Sequence, residues 1–383
     1  MKKTILTVKA GEHDRRYCPV TGVLEENIDA SKGLVLKEKA TGCEVPCQSE
    51  ETEGGTRLWW ILDNLSAGKE REYEVSEGEP STCGGVTCVE QEGRIDVTIG
   101  GDAFTSYHFG SSWARPFLSP ILGPYGLPMT RRLATPEDEG NKEMDHPHHR
   151  SFWVAYGEVN GVDNWSENPG HGKTLHRSFD ALTGGPVLAH IRALGDWVSA
   201  QGEKLLEERR RLRIYNLPEW CRVVDMEVTL TATEQDVFLG DTKEGGIASV
   251  RVMPSMEVRH TGKIENAHGG INEDETWGKQ AMWCDYSGWV DGRQVGLTLF
   301  DHPDSFRFPT YWHVRDYGLM TANPFGLSHF KEDSNQRGDH TMKQGDSLFF
   351  RYRMFLHPGD ATEGNVGEKY HDFVNPPVVC AAK

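Results

Sequence analysis

The stretch DHPHHRSFW, residues 145–153, places three histidines and an arginine within six positions, ahead of two aromatics. Imidazole is the side chain whose proton affinity lies nearest neutrality, and it is also the commonest metal ligand. In an extended chain His146 and His148 share one face while His149 points the other way. His148 is therefore the candidate acid or base. Two histidines at this spacing also suit a sheet-borne metal site. The candidate set for a divalent metal is His146, His148 and His302, with Glu158 and His313 as other possible ligands. The alternative for His146, which precedes Pro147, is a role in fixing a turn.

Polar and aromatic residues concentrate in three blocks: Tyr107 to Arg177, residues 240–252 (GDTKEGGIASVRV), and Asp301 to Phe325. The first and third mix turn residues with Arg, His, Asp and large rings, and the second combines glycines with Asp, Lys, Glu and Arg. That combination suits a polyhydroxylated ligand, whose hydroxyls take paired hydrogen bonds while its C–H face packs on an aromatic. In the second block Glu244 lies between Gly240 and Gly245-Gly246, where close backbone approach to a ligand would present its carboxylate as a base. Arg115, Arg131 and Arg315 are candidates to polarise a substrate oxygen, and His302 joins His148 and Glu244 in the catalytic set. Substrate contacts are expected from Tyr107, Arg131, His149, Arg150, Trp153, Trp312, His313 and Tyr317. Each has a structural alternative: rings that cap the sheets, a solvated hairpin tip at Glu244, arginines serving buried carboxylates.

The elements that must position these groups read as strands. Val224, Met226, Val228 and Leu230 alternate with Asp225, Glu227, Thr229 and Thr231, the period-two pattern of a half-buried antiparallel strand. Ile95, Val97 and Ile99 repeat the pattern, as do Val295, Leu297 and Leu299; LFFRYRMFL (348–356) is a further strand. Helical spacing is scarce, with one short C-terminal helix through Val366, Tyr370 and Phe373, stopped by Pro376-Pro377. The expected fold is mostly β: a large antiparallel sandwich with a small N-terminal β unit. The Gly/Ser/Glu/Pro-rich segment 76–85 divides residues 1–80, which include the strand TRLWWILDNL (56–65), from a main domain at 81–383 that holds the cleft. Asp145-His146-Pro147 recurs as Asp301-His302-Pro303, and two such loops around one cleft would account for the echo.

Composition narrows the function. At 383 residues, 37% hydrophobic and 26% charged, the chain can bury a large core. A formal charge of −17 opposes binding to nucleic acid and to anionic membranes. No apolar run approaches the ~18 residues of a membrane span, and the N-terminal apolar run is too short for a signal-peptide core, so a cytoplasmic address is expected. The eight cysteines form only two close pairs, Cys43-x3-Cys47 and Cys83-x4-Cys88, and free thiols are expected rather than a zinc site. GxGxxG after a strand, a P-loop and GxSxG are all absent.

The motifs RPFLSPILGPYGLPMTR, DHPHHRSFWVAYGEVNGVDNWSE, DTKEGG and PTYWHVRDYGLMTANPF together resemble the bacterial family labelled "methane oxygenase PmoA", over nearly the whole chain. The genuine methane monooxygenase subunit of that name is an integral membrane protein, so the oxygenase activity does not carry over to a chain without a spanning segment. The resemblance implies a supersandwich similar to galactose-mutarotase-like proteins, whose relatives travel with sugar oxidoreductases and sugar-isomerase-like proteins. Mutarotases use a histidine acid and a glutamate base, but no mutarotase motif aligns here residue by residue.

The expected function is therefore that of a carbohydrate-active enzyme. It would move a proton on a sugar or oxidised sugar, by epimerisation or elimination beside a carbonyl. The alternatives are a metal-dependent sugar lyase or hydrolase and a non-catalytic carbohydrate-binding protein. The expected partner is a small-molecule or oligosaccharide substrate, with no redox cofactor required.

Overall fold

The computed structural model describes residues 3–24, 30–52, 55–80, 84–141 and 144–381. Part of the 76–85 segment, including Cys83, lies outside the described residues.

Period-two alternation resolves into two eight-stranded sheets in which every pairing is antiparallel. The first sheet runs, in spatial order, Tyr311–Val314, Leu319–Asn323, Gly245–Arg251, Phe152–Tyr156, Phe117–Leu118, Asp102–His108, Arg94–Ile99 and Val86–Gln91. The second runs Lys173–Thr183, Leu188–Val198, Lys204–Tyr215, Arg222–Thr231, Ser347–Pro358, Arg293–Asp301, Trp283–Val290 and Lys263–Asn266. Their inner faces share one apolar core. Ile95, Val97, Val154, Val250 and Met320 from the first sheet meet Ile191, Leu212, Val224, Leu297 and Met354 from the second. Removing these side chains from water is the main favourable term for such a sandwich, about 1.5–3 kcal/mol for each large one. The helices are few and short: α1 Asn272–Thr276, α2 Leu327–Phe330 and α3 Val366–Val374. Among the described residues no helix is long and apolar enough to cross a membrane.

The N-terminal segment builds a smaller two-sheet unit with a separate core that includes Leu6, Val8, Trp60, Leu62 and Val75. Its five-stranded sheet contains the last strand of the chain. Val378–Ala381 pairs antiparallel with Lys3–Lys9, covering an edge that would otherwise be free to recruit other chains. The expected division at residues 80/81 therefore misassigns the C-terminal strand. Its four residues are too short to show a period, so the return was not legible. Helix α3 and the N-terminal unit both pack on the outer face of the second sheet, where Trp59, Tyr215, Phe300, Phe355, Tyr370 and Phe373 form a further apolar cluster. Asp225 is consequently only 3% exposed, although its strand reads as half-solvated.

Candidate functional site

The outer face of the first sheet gathers most of the candidate residues. Cross-strand registers place His108, Phe117, Trp153, Ser249, Thr321 and His313 in one row across six strands. Their chain neighbours face inward, and this separates the sequence candidates. Tyr107, one residue from His108, lies in the core, where burial pushes its hydroxyl up to about 12. Trp312, next to His313, is fully buried in the same core and donates its indole N–H to the Ala281 carbonyl at 2.9 Å. Neither is a substrate contact. Both were expected at the site because large aromatics suit a core and a sugar cleft equally.

Over this row lies the 145–150 loop, held by two arginine networks. In the first, Arg115 donates to the Glu167 carboxylate at 2.9 Å and to the carbonyls of His148, Asn164 and Trp165 at 3.3, 3.0 and 3.1 Å. Arg150 grips both oxygens of the same carboxylate, and its guanidinium lies 5.1 Å over the Trp113 ring. Burial alone would raise Glu167, but Arg150 and Arg115 hold it below the ordinary carboxylate value. In the second network Arg131 donates to Asp145 at 3.1 Å and to the His146 carbonyl at 3.0 Å. Arg251 reaches Asp145 at 2.7 Å, Glu257 at 3.3 Å and Nδ1 of His149 at 3.1 Å. Arg115 and Arg131 are thus positioning groups, with donors committed to carboxylates and carbonyls rather than to a substrate oxygen. Desolvation lowers both to about 10.

The histidines stack into this frame. The His146 ring lies parallel to Tyr317 at 5.1 Å and to His149 at 5.0 Å, and His149 stacks on Trp153 at 5.3 Å. His148 stands edge-on to His149 at 4.6 Å and to Trp165 at 5.9 Å. Among the described residues no side-chain hydrogen bond engages either ring nitrogen of His148, and the residue is only partly buried. Burial, followed by Arg115 and His146, lowers it to about 3. Burial drives the fully enclosed His149 well below its ordinary value, and His148 and Arg251 add to the shift. The frame is strained as well as charged. His146, Ser151 and Glu167 have left-handed backbones, with φ of 48°, 73° and 55°, a conformation that costs a non-glycine residue about 1–3 kcal/mol. The salt-bridged loop holds them there.

Groups from the other two blocks border this centre. Tyr317 lies under the Arg251 guanidinium at 4.8 Å, and burial pushes its hydroxyl up to about 12. Arg315 is one-third exposed and paired with Glu273 at 3.1 Å. His313 accepts from the Trp277 indole at 2.9 Å and is lowered to about 3, first by burial and then by Lys243 and Arg315. Glu244 is close enough to Tyr317 to act on its ionisation, but it is half-exposed and paired with its neighbour Lys243. The surrounding glycines serve packing rather than ligand approach: a Cβ on Gly246 would meet Thr321 Oγ1 at 1.6 Å, and one on Gly240 would meet Glu158 Oε2 at 2.0 Å. Two recesses open beside the centre. One of about 660 Å³ is lined by Asp145, Pro147 and Arg150, and one of about 530 Å³ by Trp277, Arg315 and Phe330.

The three blocks therefore converge, but His302 does not. It follows a second-sheet strand, its ring lies 4.9 Å from Phe373 of α3, and its Nε2 is 3.4 Å from Arg351. The shared Asp-His-Pro tripeptide thus occupies different sheets, which removes His302 from the catalytic set and dissolves the metal set His146, His148 and His302. Among the described residues no three His, Cys, Asp or Glu groups are arranged to hold a metal ion. Glu167, Asp145, Arg251, Trp165 and Trp113, which organise the centre, were not singled out from sequence. The first two and Trp165 lie inside the quoted DHPHHRSFWVAYGEVNGVDNWSE motif. Arg251 is the arginine of the 240–252 block, in which Glu244 was singled out from sequence instead.

No curated protein matches the chain. Among solved structures, it is similar over its full length to a protein in glycosyl hydrolase family 38 from Enterococcus faecalis, at 9% identity and a TM-score of 0.45, covering 47% of that chain. It is likewise similar to an alpha-mannosidase from Enterococcus faecalis V583, at 8% identity and a TM-score of 0.49, covering 46% of that chain. The chain spans about half the length of both. Residues 94–371, which take in nearly the whole sandwich and the entire centre around His148, match the family described as "Family of unknown function (DUF6807)", and the chain belongs to that family.

Proposed function

We propose that the outer face of the first sheet binds a sugar or oxidised sugar and that His148 transfers a proton on it, in an epimerisation or elimination beside a carbonyl. The observation carrying this reading is His148 itself: a neutral, partly exposed imidazole with no side-chain partner among the described residues, ringed by Trp165, His149 and His146. A histidine serving only structure would be tied down at a ring nitrogen, as His149 is by Arg251. Charge supports the oxidised form of the substrate. Arg115 and Arg150 place positive charge beside His148, which favours a carboxylate or a developing enolate there. An anion bound beside His148 also raises the ring's proton affinity, moving it toward the range useful for a base.

The depth of the His148 depression favours a second reading, a carbohydrate-binding protein without catalysis, because an imidazole of such low basicity is a weak base until charge arrives. Proton NMR in heavy water separates the two. Aldoses, ketoses and uronic or keto acids are incubated with the protein, and exchange of the C–H next to the carbonyl is followed. Exchange or a changed epimer ratio supports catalysis; binding without exchange supports the second reading, and no binding removes both.

A further inference from the structure

The outer face of the second sheet, on the far side of the sandwich from His148, carries a ladder of arginines. The period-two run ERRRLRIY puts Arg209, Arg211 and Arg213 on one face of the Lys204–Tyr215 strand. Cross-strand registers extend it, with Arg192 opposite Arg211, Arg211 opposite Glu227, and Glu227 opposite Arg351. The next row reads His190, Arg213, Asp225, Arg353. A chain of net charge −17 shows no general bias toward such a patch. The N-terminal unit and α3 roof it with Arg57, Trp59 and Phe373, enclosing a recess of about 300 Å³.

Among the described residues lining the recess, Arg57, Arg211, Arg213, Arg351 and Arg353 face Asp225, Glu227 and Asp372, and Asp372 is already paired with Arg15 and Lys369. Arg353 forks onto Asp225 at 2.5 and 2.8 Å, and the Tyr215 hydroxyl donates to the same carboxylate. Glu227 accepts from Arg211 at 2.9 Å and Arg213 at 3.0 Å and lies 3.9 Å from Arg351, whose other carboxylate neighbour is the exposed Asp304 at 3.7 Å. Of the arginines lining the recess, Arg211, Arg213 and Arg351 each hold a buried Nε–H without an acceptor among the described residues. Arg213 is itself only 6% exposed. Buried donors are nearly always satisfied, so a convergent set of unmatched ones marks a place for an acceptor that the chain does not supply. His190, opposite Arg213 on this face, pairs with Glu50 at 3.4 Å and is lowered to about 4, first by burial and then by Arg213.

We propose that this recess binds a phosphate group. A phosphate monoester near neutral pH carries close to two negative charges and three terminal oxygens, matching both the charge excess and the number of unmatched donors. Arginine forks favour such planar, multidentate contacts. The recess is larger than phosphate alone requires, and the Trp59 and Phe373 rings on its wall suit an attached sugar-sized body. The site is separate from the His148 face and does not depend on its assignment.

Isothermal titration at constant ionic strength tests it, using inorganic phosphate, glucose 6-phosphate and unphosphorylated glucose as probes. Saturable binding of phosphate or of the ester, but not of glucose, is expected, with affinity at least tenfold weaker in Arg211→Gln and Arg351→Gln. Arg351→Lys, which keeps the charge, should recover part of the loss, and His148→Gln should bind as the unaltered protein does. Comparable affinity for phosphate and ester identifies free phosphate as the ligand; a much tighter ester identifies a phosphorylated small molecule. No binding at millimolar concentration, binding indifferent to both arginine substitutions in folded protein, or loss confined to His148→Gln would each overturn the proposal.

Discussion

Nη1 of Arg251 lies 3.1 Å from Nδ1 of His149, so a fully buried guanidinium donates to a fully buried imidazole. The contact fixes the tautomer. Nδ1 is the acceptor, the ring proton sits on Nε2, and the neighbouring cation keeps the imidazole neutral. It also joins two segments 102 residues apart and anchors the loop that carries His148.

Replacing Arg251 by Gln should therefore be costly. Among the described residues, Glu257, 0% exposed, would keep only the Arg259 ion pair, and Asp145 would keep those to Arg131 and His146. Breaking a buried ion-pair network in this way typically costs about 3–5 kcal/mol. Urea denaturation of Arg251→Gln should show a loss of that size, and a change below ~1 kcal/mol would mean the network contributes little.

His148→Gln keeps a polar side chain but removes the transferable proton. If the proposed reaction is correct, turnover should fall ~10²-fold or more while the melting temperature barely moves, because no side-chain hydrogen bond is lost. His302→Gln should leave turnover unchanged, since that ring lies against Phe373 and Arg351 on the other sheet. Equal losses in the two variants would contradict the separation of the two loops.

Trp312 provides a core control. Truncation to Ala removes a fully buried indole and its hydrogen bond to Ala281, a change that costs about 3–5 kcal/mol in a well-packed core. Ligand affinity of the folded fraction should stay within a factor of a few. A selective loss of affinity with stability intact would return Trp312 to the binding surface.

Stability should fall on mild acidification. Burial lowers His148 and His313 to about 3, His190 and His302 to about 4, and His149 well below its ordinary value. A group depressed in the folded state contributes stability above its unfolded pKa, ~6.5 for histidine, and loses it as pH falls toward the folded value. Each such proton gives a slope of about 1.4 kcal/mol per pH unit at most. Asp301 works in the opposite sense. Burial raises it to about 7, so its contribution is present at low pH and lost as pH rises through 7. The lowered histidines outweigh this single carboxyl, and denaturation midpoints measured from pH 7 to 4.5 should drop steadily below pH 6.5. A flat profile would mean that these rings gain protons without unfolding.

The strands, their inner faces and the short C-terminal helix were legible because alternation of apolar and polar residues is a local signal that burial enforces. Val224, Met226, Val228 and Leu230 point inward as their spacing requires. The polar–aromatic blocks were legible for the same reason, since such composition fits neither a core nor an ordinary loop.

What the sequence by itself determined is thus the fold class, the block that carries His148, and the residue types available to a site. Only the tertiary structure decided which residues meet. Period two defines two faces of a strand, but it does not say which faces inward when both neighbours are large, as with Tyr107 and His108 or Trp312 and His313. Identical Asp-His-Pro tripeptides end on different sheets because register and strand order are set by pairings between distant segments. The pairing of Arg251 with His149 has the same origin: a contact across 102 residues arises from the packing of whole strands, and no local pattern encodes it.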